Sequence, residues 1–514
     1  MNGSMQGRVI FMPLALLLSV VLSSCGGGLG STAGGGIGGT GVGPVTGFGS
    51  VIVNGVRYDD TGIGNTTFFD ENGRTKADLK AGMMVAIFGS ISGANGTADN
   101  ITVLRHVDGP MDDNGVDLAT NRLKVMGQDV VVDASTVFDD NVITSLAGLR
   151  DLQGANVSHP ELEVHGSADN NGVIHATFIH KWADDFVAGT AVQVRGTVAA
   201  PKTATTFVVG RTTVDFTGVA GGLPAGVDVG AFVEVKGTLR ASDNVLLATF
   251  VQLEDATGGQ PSGDRAEVEG YVNRVVTPNA SFELIGPNGL QTVTWTAGTT
   301  AFTGGTGADI RGGVKVEVEG TRKVDGALAA TKIAIRRGSN VRMESTVTSV
   351  TASSLTIFGK TVAVNALTQY KDSRDDLKTF GQADILVGNT LEVSAFLDNS
   401  TVPASIVATR VERIDPIASD RHILQGPVDF IDPGGQSLTI LGVSGIQGIP
   451  GITVITFPSP GTRFLRPDDS EFATQGEFFA AIAIGDIVKA RGNQASPGVS
   501  MNANEIEIEP TSDN

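Results

Sequence analysis

The chain has 514 residues and a net charge of −19 at pH 7, because 55 acidic residues outnumber 36 lysine and arginine residues. This acidic balance argues against nucleic acid as a partner, since phosphate backbones are bound by clustered lysine and arginine. The length predicts several domains, and the 69 glycine residues, roughly twice the usual share of about 7%, favour short strands joined by tight turns.

Residues 1–24 have the composition of an export signal. Arg8 is their only charged residue, and the apolar run at residues 9–22 is shorter than the roughly 18–20 residues that span a membrane. The run ends in LSSC at residues 22–25, which resembles the lipobox of bacterial lipoproteins. That resemblance implies removal of residues 1–24 and lipidation of the Cys25 thiol, so that the acyl chains anchor the protein to a membrane.

The lipobox resemblance also implies a cellular location. Gly26 follows Cys25 where an aspartate would retain a lipoprotein, so the resemblance implies the outer membrane of a bacterial envelope, facing either the periplasm or the surface. The alternative is a plain secretory signal with an incidental cysteine. Because Cys25 is the single cysteine of the chain, we expect no disulfide, no thiolate nucleophile and no cysteine metal cluster in the mature protein.

Residues 25–43 are rich in glycine and predict a flexible tether. Beyond the tether, one pattern recurs six times: a strand ending near a glycine, a variable turn, and a return strand centred on an alanine. The glycine position, which is an alanine in one copy, is occupied by Gly89, Gly166, Gly237, Gly320, Ala395 and Gly492. This repetition predicts six modules, at residues 44–107, 108–182, 190–255, 264–337, 340–414 and 421–509.

The repeat predicts an all-β fold. Apolar and charged residues alternate at residues 162–164, which is typical of a strand with one buried face. In the return strand, Leu328 and Ala330 share a face while Ile333 lies three residues further on, which predicts a β-bulge after the alanine. Each copy also has an upstream hairpin, marked in the first by Asn54-Gly55. About five strands and one longer connection in each unit predict tandem small OB-like β-barrels.

Residues 41–58 read GVGPVTGFGSVIVNGVRY, and residues 79–85 read LKAGMMV. This opening module, to about His106, resembles bacterial lipoproteins that carry the domain of unknown function numbered 5666. The later copies keep the hairpins and the alanine motif without the GFGS segment, so their membership depends on the internal repeat. The resemblance implies export and a β-barrel module, and it implies no activity and no site residues.

Histidine is unevenly distributed, because four of the six fall in the second module. Three of them, His165, His175 and His180, are predicted to point outward from two paired strands if the bulge follows Ala176. Three imidazoles on one sheet face could bind zinc or copper, and the alternative is that they are ordinary solvent-facing side chains. Acidic turns at residues 70–73 and 112–117 could bind calcium, although such residues are also what tight turns require.

The sequence has no G-x-S-x-G elbow and no H-E-x-x-H pair, and aromatic residues amount to only 5%. We therefore expect no catalytic residues. The leading hypothesis is a non-catalytic, lipid-anchored envelope protein, a string of barrels that acts as a spacer or binds envelope proteins or glycans through barrel edges and loops. The second is a lipoprotein that binds a metal or small ligand through its second module, and the third is a glycan-acting enzyme.

Overall fold

A computed structural model describes residues 37–509, except 49, 134, 140–142, 144, 155–157, 255–261, 337, 366–367, 376, 378, 399–404, 442–451, 456–460 and 497–498. The predictions for residues 1–24 and for Cys25 lie outside the described residues. Within the described part of the chain, no helix is both long enough and apolar enough to cross a membrane. The described residues belong to one compact unit.

The first three modules are built mainly from β-strands joined by turns and loops. Module 1 has β1 Ile37–Gly47, β2 Val51–Val53, β3 Val56–Asp59, β4 Phe68–Phe69, β5 Met84–Ser92 and β6 Asn95–Val103. Module 2 has β7 Val107–Asp117, β8 Arg122–Val125, β9 Gln128–Val131, β10 Val137–Phe138, helix α1 Leu146–Gln153, β11 Glu161–Ala168 and β12 Ile174–Ala183. Module 3 has β13 Val192–Ala199, β14 Thr206–Val209, β15 Thr212–Asp215, β16 Phe232–Leu239 and β17 Leu246–Leu253.

The last three modules repeat this order of elements. Module 4 has β18 Arg265–Thr277, β19 Ser281–Gly286, β20 Gly289–Thr294, β21 Ala301–Thr303, β22 Lys315–Arg322 and β23 Leu328–Arg336. Module 5 has β24 Val341–Val350, β25 Ser354–Ile357, β26 Lys360–Ala363, β27 Gln369–Asp372, β28 Thr390–Asp398 and β29 Ser405–Ile414. Module 6 has β30 His422–Asp432, β31 Ser437–Ile440, β32 Ile452–Ile455, β33 Arg463–Leu465, helix α2 Gln475–Ala481, β34 Ile487–Ser496 and β35 Ser500–Ile508.

Each module closes into a small barrel. In module 1 the strands pair in the order β1, β2, β3, β6, β5 and back to β1, and the β3–β6 pair is parallel. The corresponding strands of the other five modules pair in the same order. A five-stranded barrel with this connectivity is OB-like, so the predicted all-β fold of tandem small barrels is confirmed.

The predicted bulge after the alanine is present in all six modules. In module 2 Gly166 pairs with Ala176 while His165 pairs with Phe178, so that Thr177 is the extra residue of the bulge. The register shifts at the same place in the hairpins of modules 1, 3, 4, 5 and 6. A Cβ atom at Gly166 would lie less than 3.0 Å from the carbonyl oxygen of the opposite strand, which explains the glycine at this turn of the pattern.

The expectation of a flexible tether to residue 43 is wrong for residues 37–43, which form the first part of β1. Their backbone pairs with β5 on one side and with β18 of module 4 on the other. Glycine is needed because neighbouring side chains lie against the strand: a Cβ at Gly41 would lie less than 3.0 Å from the Tyr58 hydroxyl, and one at Gly43 equally close to Asn54.

The sequence does not indicate whether the modules pack together, and in the structure they join in pairs. Modules 1 and 4 share one sheet, modules 2 and 3 a second, and modules 5 and 6 a third. The first strand of a module is long enough to pair twice: Val107 of β7 pairs with Val164 in its own barrel and with Val194 in the next. As a result, modules 2 and 3 share one apolar core, and modules 5 and 6 share another.

Candidate ligand-binding cavity

The prediction that His165 points outward into solvent is wrong, because its side chain is fully buried. His165 does point away from the core of its own barrel, but module 1 covers that face. Its Nε2 lies 2.5 Å from Oε1 of Glu163, and its Nδ1 accepts a hydrogen bond of 3.2 Å from the backbone N–H of Met84. Both ring nitrogens are therefore engaged within the protein.

The other two histidines of the predicted metal site have different partners. His175 Nε2 lies 3.4 Å from Asp169, and His180 Nδ1 lies 3.0 Å from Asp139. Across the hairpin, His175 pairs with Ser167 and His180 with Glu163, so neither is opposite His165. Throughout the described ranges, no three histidine, cysteine, aspartate or glutamate side chains are grouped so that they could bind a metal ion.

The acidic turns that were considered for calcium use their carboxylates within the fold. The Asp112 carboxylate accepts hydrogen bonds from the backbone N–H of Gly127 at 2.9 and 3.1 Å. Asp70 forms ion pairs with Arg105 and with Arg74, and it accepts a hydrogen bond from the N–H of Asn72 at 2.8 Å. The carboxylates of these turns therefore stabilise the fold through hydrogen bonds and ion pairs.

Glu163 is the centre of a buried charged network that sequence reasoning missed. Module 1 contributes Arg74, which forms an ion pair with it, and Asn72, which donates a hydrogen bond of 3.0 Å. Module 2 contributes the indole N–H of Trp182 at 3.1 Å. Burial opposes ionisation of Glu163, but the hydrogen bond from His165 and the neighbouring arginines outweigh it and hold the pKa of Glu163 well below its usual range. We call this network the Glu163 cluster.

Asp108 shows the opposite response beside the Glu163 cluster. Burial, followed by the negative charge of Glu163, raises the pKa of Asp108 to about 7, although Asn72 donates a hydrogen bond of 2.9 Å to its carboxylate. The cluster joins modules 1 and 2, and neither of the two large cavities described below is lined by Glu163 or Asp108. The Glu163 cluster is therefore part of the interface between modules 1 and 2.

A cavity of about 1080 Å³ lies where modules 1, 2, 4, 5 and 6 meet. Its walls come from strand ends and from the turns between strands, which are the parts of a barrel most often used for ligand binding. The lining combines apolar and polar residues, and its polar members include Asp133, His175, Tyr271, Arg311, Asn340 and Gln369. Of the three predicted histidines, His175 is therefore the one that lies at this cavity.

Two aromatic rings from different modules form one wall of the cavity. His175 of β12 stacks on Tyr271 of β18, with ring centroids 4.4 Å apart and an interplanar angle of 27°. Burial, together with the charges of Asp133 and Glu269, raises the pKa of Tyr271 well above its usual range, so its hydroxyl remains protonated. The sequence could not reveal this pair, because it forms only when modules 2 and 4 come together.

Several polar side chains in the cavity wall have unused hydrogen-bonding capacity. The buried Gln369 Oε1, Asn340 Oδ1 and Thr177 Oγ1 atoms have no hydrogen-bond partner among the described residues. A buried polar atom without a partner costs about 1–3 kcal/mol, so such atoms favour a ligand or water that offers donors. The Asn54 amide oxygen is also unpartnered but lies against Gly43, and its amide nitrogen donates to Val42 O at 3.0 Å.

A second cleft, of about 1730 Å³, is lined by charged residues of modules 1, 2, 5 and 6. Its charges pair across neighbouring strands: Arg342 and Arg410 both contact Glu392, at 2.7 and 2.8 Å, and Lys371 contacts Glu412 at 2.9 Å. These groups neutralise one another, although the buried Nε atoms of Arg342 and Arg410 have no hydrogen-bond partner among the described residues.

Comparison with known proteins gives one family. A family model described as Domain of unknown function (DUF5666) matches residues 108–180, 195–252, 269–334 and 344–412, together more than half of the chain. These ranges correspond to modules 2 to 5. The opening segment from residue 41, on which the sequence resemblance was based, lies outside them. No curated protein matches the chain.

Proposed function

We propose, from the premise that the chain belongs to the family of the domain of unknown function DUF5666, that it is a non-catalytic binding scaffold of the bacterial cell envelope. The family description assigns no activity, so the proposal depends on the geometry of the cavity between modules. The lipobox-like segment before Cys25 supports a lipid anchor, and Gly26 supports the outer membrane as its location.

The observation that carries the binding role is the set of unpartnered polar atoms in the cavity wall. Gln369 and Asn340 come from module 5 and Thr177 from module 2, so the set exists only in the packed protein. Two of these atoms are amide oxygens, which accept but do not donate hydrogen bonds. They favour a ligand with several hydroxyl groups, and a short, uncharged glycan meets that requirement.

Other groups at the cavity suit the acceptor atoms of the same ligand. The exposed Arg311 provides N–H donors, and Tyr271 provides a neutral hydroxyl. Sugar hydroxyl groups both donate and accept, so a glycan could satisfy both kinds of group. The metal-binding alternative has less support, because His165 is engaged with Glu163 and Met84.

The test is a glycan array probed with the mature protein, followed by recovery of the bound glycan and measurement of its mass. We expect saturable binding of uncharged oligosaccharides and recovery of the glycan with its mass unchanged. Failure to bind any glycan would contradict the proposed ligand class. Recovery of a cleaved or modified glycan would contradict the non-catalytic role and favour the glycan-acting enzyme.

A further inference from the structure

In five of the six modules, a short extra strand pairs with the outer edge of the last barrel strand. The extra strands are β4, β10, β21, β27 and β33, and each runs parallel to its partner, which is β6, β12, β23, β29 or β35. A free strand edge exposes unpaired backbone N–H and C=O groups, so the extra strand protects the barrel from unwanted pairing.

The register of these extra strands is constant. In every case an aromatic residue of the extra strand lies opposite the residue three positions after the alanine of the bulge. The pairs are Phe68 with Ile101, Phe138 with Ile179, Phe302 with Ile333, Tyr370 with Val411, and Phe464 with Ile506. The occupant of this edge is therefore defined by the protein itself: a short extended segment with an aromatic residue at a fixed position.

Module 3 lacks the extra strand. Its last strand, β17, pairs with β16 and, at Leu246 and Leu247, with β15, and no other described residues pair with it. The position that corresponds to Ile333 is Val251. Loop residues Phe216, Val219 and Leu223 pack against the core instead, so the barrel is filled while the edge of β17 beyond Leu247 stays unpaired.

The unpaired edge also exposes apolar side chains. Phe250 and Leu253 are each 41% exposed, and they are the only large hydrophobic residues with such exposure among the described residues of the six last strands. The Lys236 ammonium lies 4.8 Å from the centre of the Phe250 ring, and the sequence of β17, LLATFVQL, contains no proline or charged residue to discourage pairing.

We propose that the open edge of β17 binds an extended segment of a partner protein, which adds as a parallel strand. The segment has the chemistry of the five internal occupants: it is short and extended, and its aromatic residue lies opposite Val251, on the face of β17 that Leu253 shares and Phe250 does not. Strand addition of this kind obtains affinity from backbone hydrogen bonds and selectivity from the neighbouring side chains. The edge does not include the cavity between modules, so this proposal stands independently of the glycan ligand.

A peptide from the chain itself is the appropriate probe. Residues 299–305, TTAFTGG, contain β21, which occupies the equivalent edge in module 4. Fluorescence anisotropy with this labelled peptide and the mature protein should show saturable binding. A peptide carrying Phe302→Ala should bind about tenfold more weakly, because the aromatic contact is lost. Hydrogen exchange should show new protection at residues 249–253.

The protein variants make the test specific. Phe250→Asp combined with Leu253→Asp should abolish binding, and circular dichroism should be unchanged because both side chains are exposed. Val324→Asp is the matched control, since Val324 is 93% exposed in a turn of module 4 and should leave binding unchanged. Failure of the peptide to bind, or equal binding to the double variant, would overturn the proposal.

Discussion

The Oε1 atom of Glu163 lies 2.5 Å from Nε2 of His165, and both side chains are fully buried between two barrels. The two residues are next-but-one neighbours on β11, on the face that would meet solvent in an isolated barrel. Arg74 and Asn72 of module 1 complete the cluster around the carboxylate. The pair therefore belongs to the interface that joins modules 1 and 2.

The Glu163→Gln substitution should lower the free energy of unfolding by about 3 kcal/mol, because it removes from a buried network one of the two carboxylates, Glu163 and Asp70, that neutralise Arg74 and Arg105. Denaturant titration of the purified protein measures the change. The matched control is Glu283→Gln, whose partner Arg274 is 66% exposed, with an expected loss below about 1 kcal/mol. Equal losses for the two variants would contradict the role of the cluster.

The raised pKa of Asp108 predicts that the stability of the protein depends on pH. Its pKa rises from an ordinary 3.8 to about 7 in the folded protein, so the folded state binds this proton more tightly than the unfolded chain does. The stability contributed by the protonated group is fully present below 3.8 and is lost as the pH rises through about 7. Buried His106, whose pKa falls to about 4, contributes in the opposite direction over part of this range.

The Asp108→Asn variant separates the two contributions, because asparagine does not ionise. Relative to the wild type, the variant should become more stable as the pH is raised from 5 to 8. Denaturant titrations at several pH values give this difference directly. The control is Asp151→Asn, since the Asp151 side chain is 70% exposed. A difference between Asp108→Asn and wild type that stays constant with pH would contradict the prediction.

The glycine-rich start of β1 should be sensitive to a single methyl group. Gly41→Ala would push the added Cβ against the buried Tyr58 ring and should cost about 1–3 kcal/mol, as overpacking usually does. Gly62→Ala is the control, because nothing lies within 4 Å of an added Cβ there. Thermal unfolding of both variants measures the difference in their stability. A Gly41→Ala protein as stable as the wild type would contradict the packing of residues 37–43 within β1.

Cys25→Ser should release the protein from the membrane, because the thiol is the predicted site of the lipid. Detergent phase partitioning and the mass of the mature protein report the loss. Adding Ser31→Cys to this variant should not restore attachment, since a thiol six residues further on is outside the lipobox-like segment. A Cys25→Ser protein that still partitions into detergent would contradict lipidation.

Local sequence patterns predicted the barrels well, but they could not predict the contacts between modules. The bulge after the alanine follows from the spacing of Leu328, Ala330 and Ile333, which a single hairpin determines. The direction of His165 relative to its own barrel was equally local. Its burial was not, because Arg74 and Met84 come from another module, and a pattern of period two does not reveal whether a neighbour covers the second face.

The cavity was unpredictable for the same reason. His175 and Tyr271 are far apart in the sequence and stack only when modules 2 and 4 meet. In the sequence, Gln369 looks like any polar residue of a short strand. Its significance depends on burial, which only the packed protein supplies.

Calorimetric titration of the glycan selected by the array, into wild-type protein and into Gln369→Leu, tests the central claim most directly. The substitution removes the unpartnered Oε1 atom, so it should weaken binding about tenfold or more while leaving stability unchanged or raised by about 1 kcal/mol. Gln252→Leu, an exposed change outside the cavity, should leave glycan binding unchanged. Equal affinity of wild type and Gln369→Leu would contradict a binding scaffold that uses this cavity.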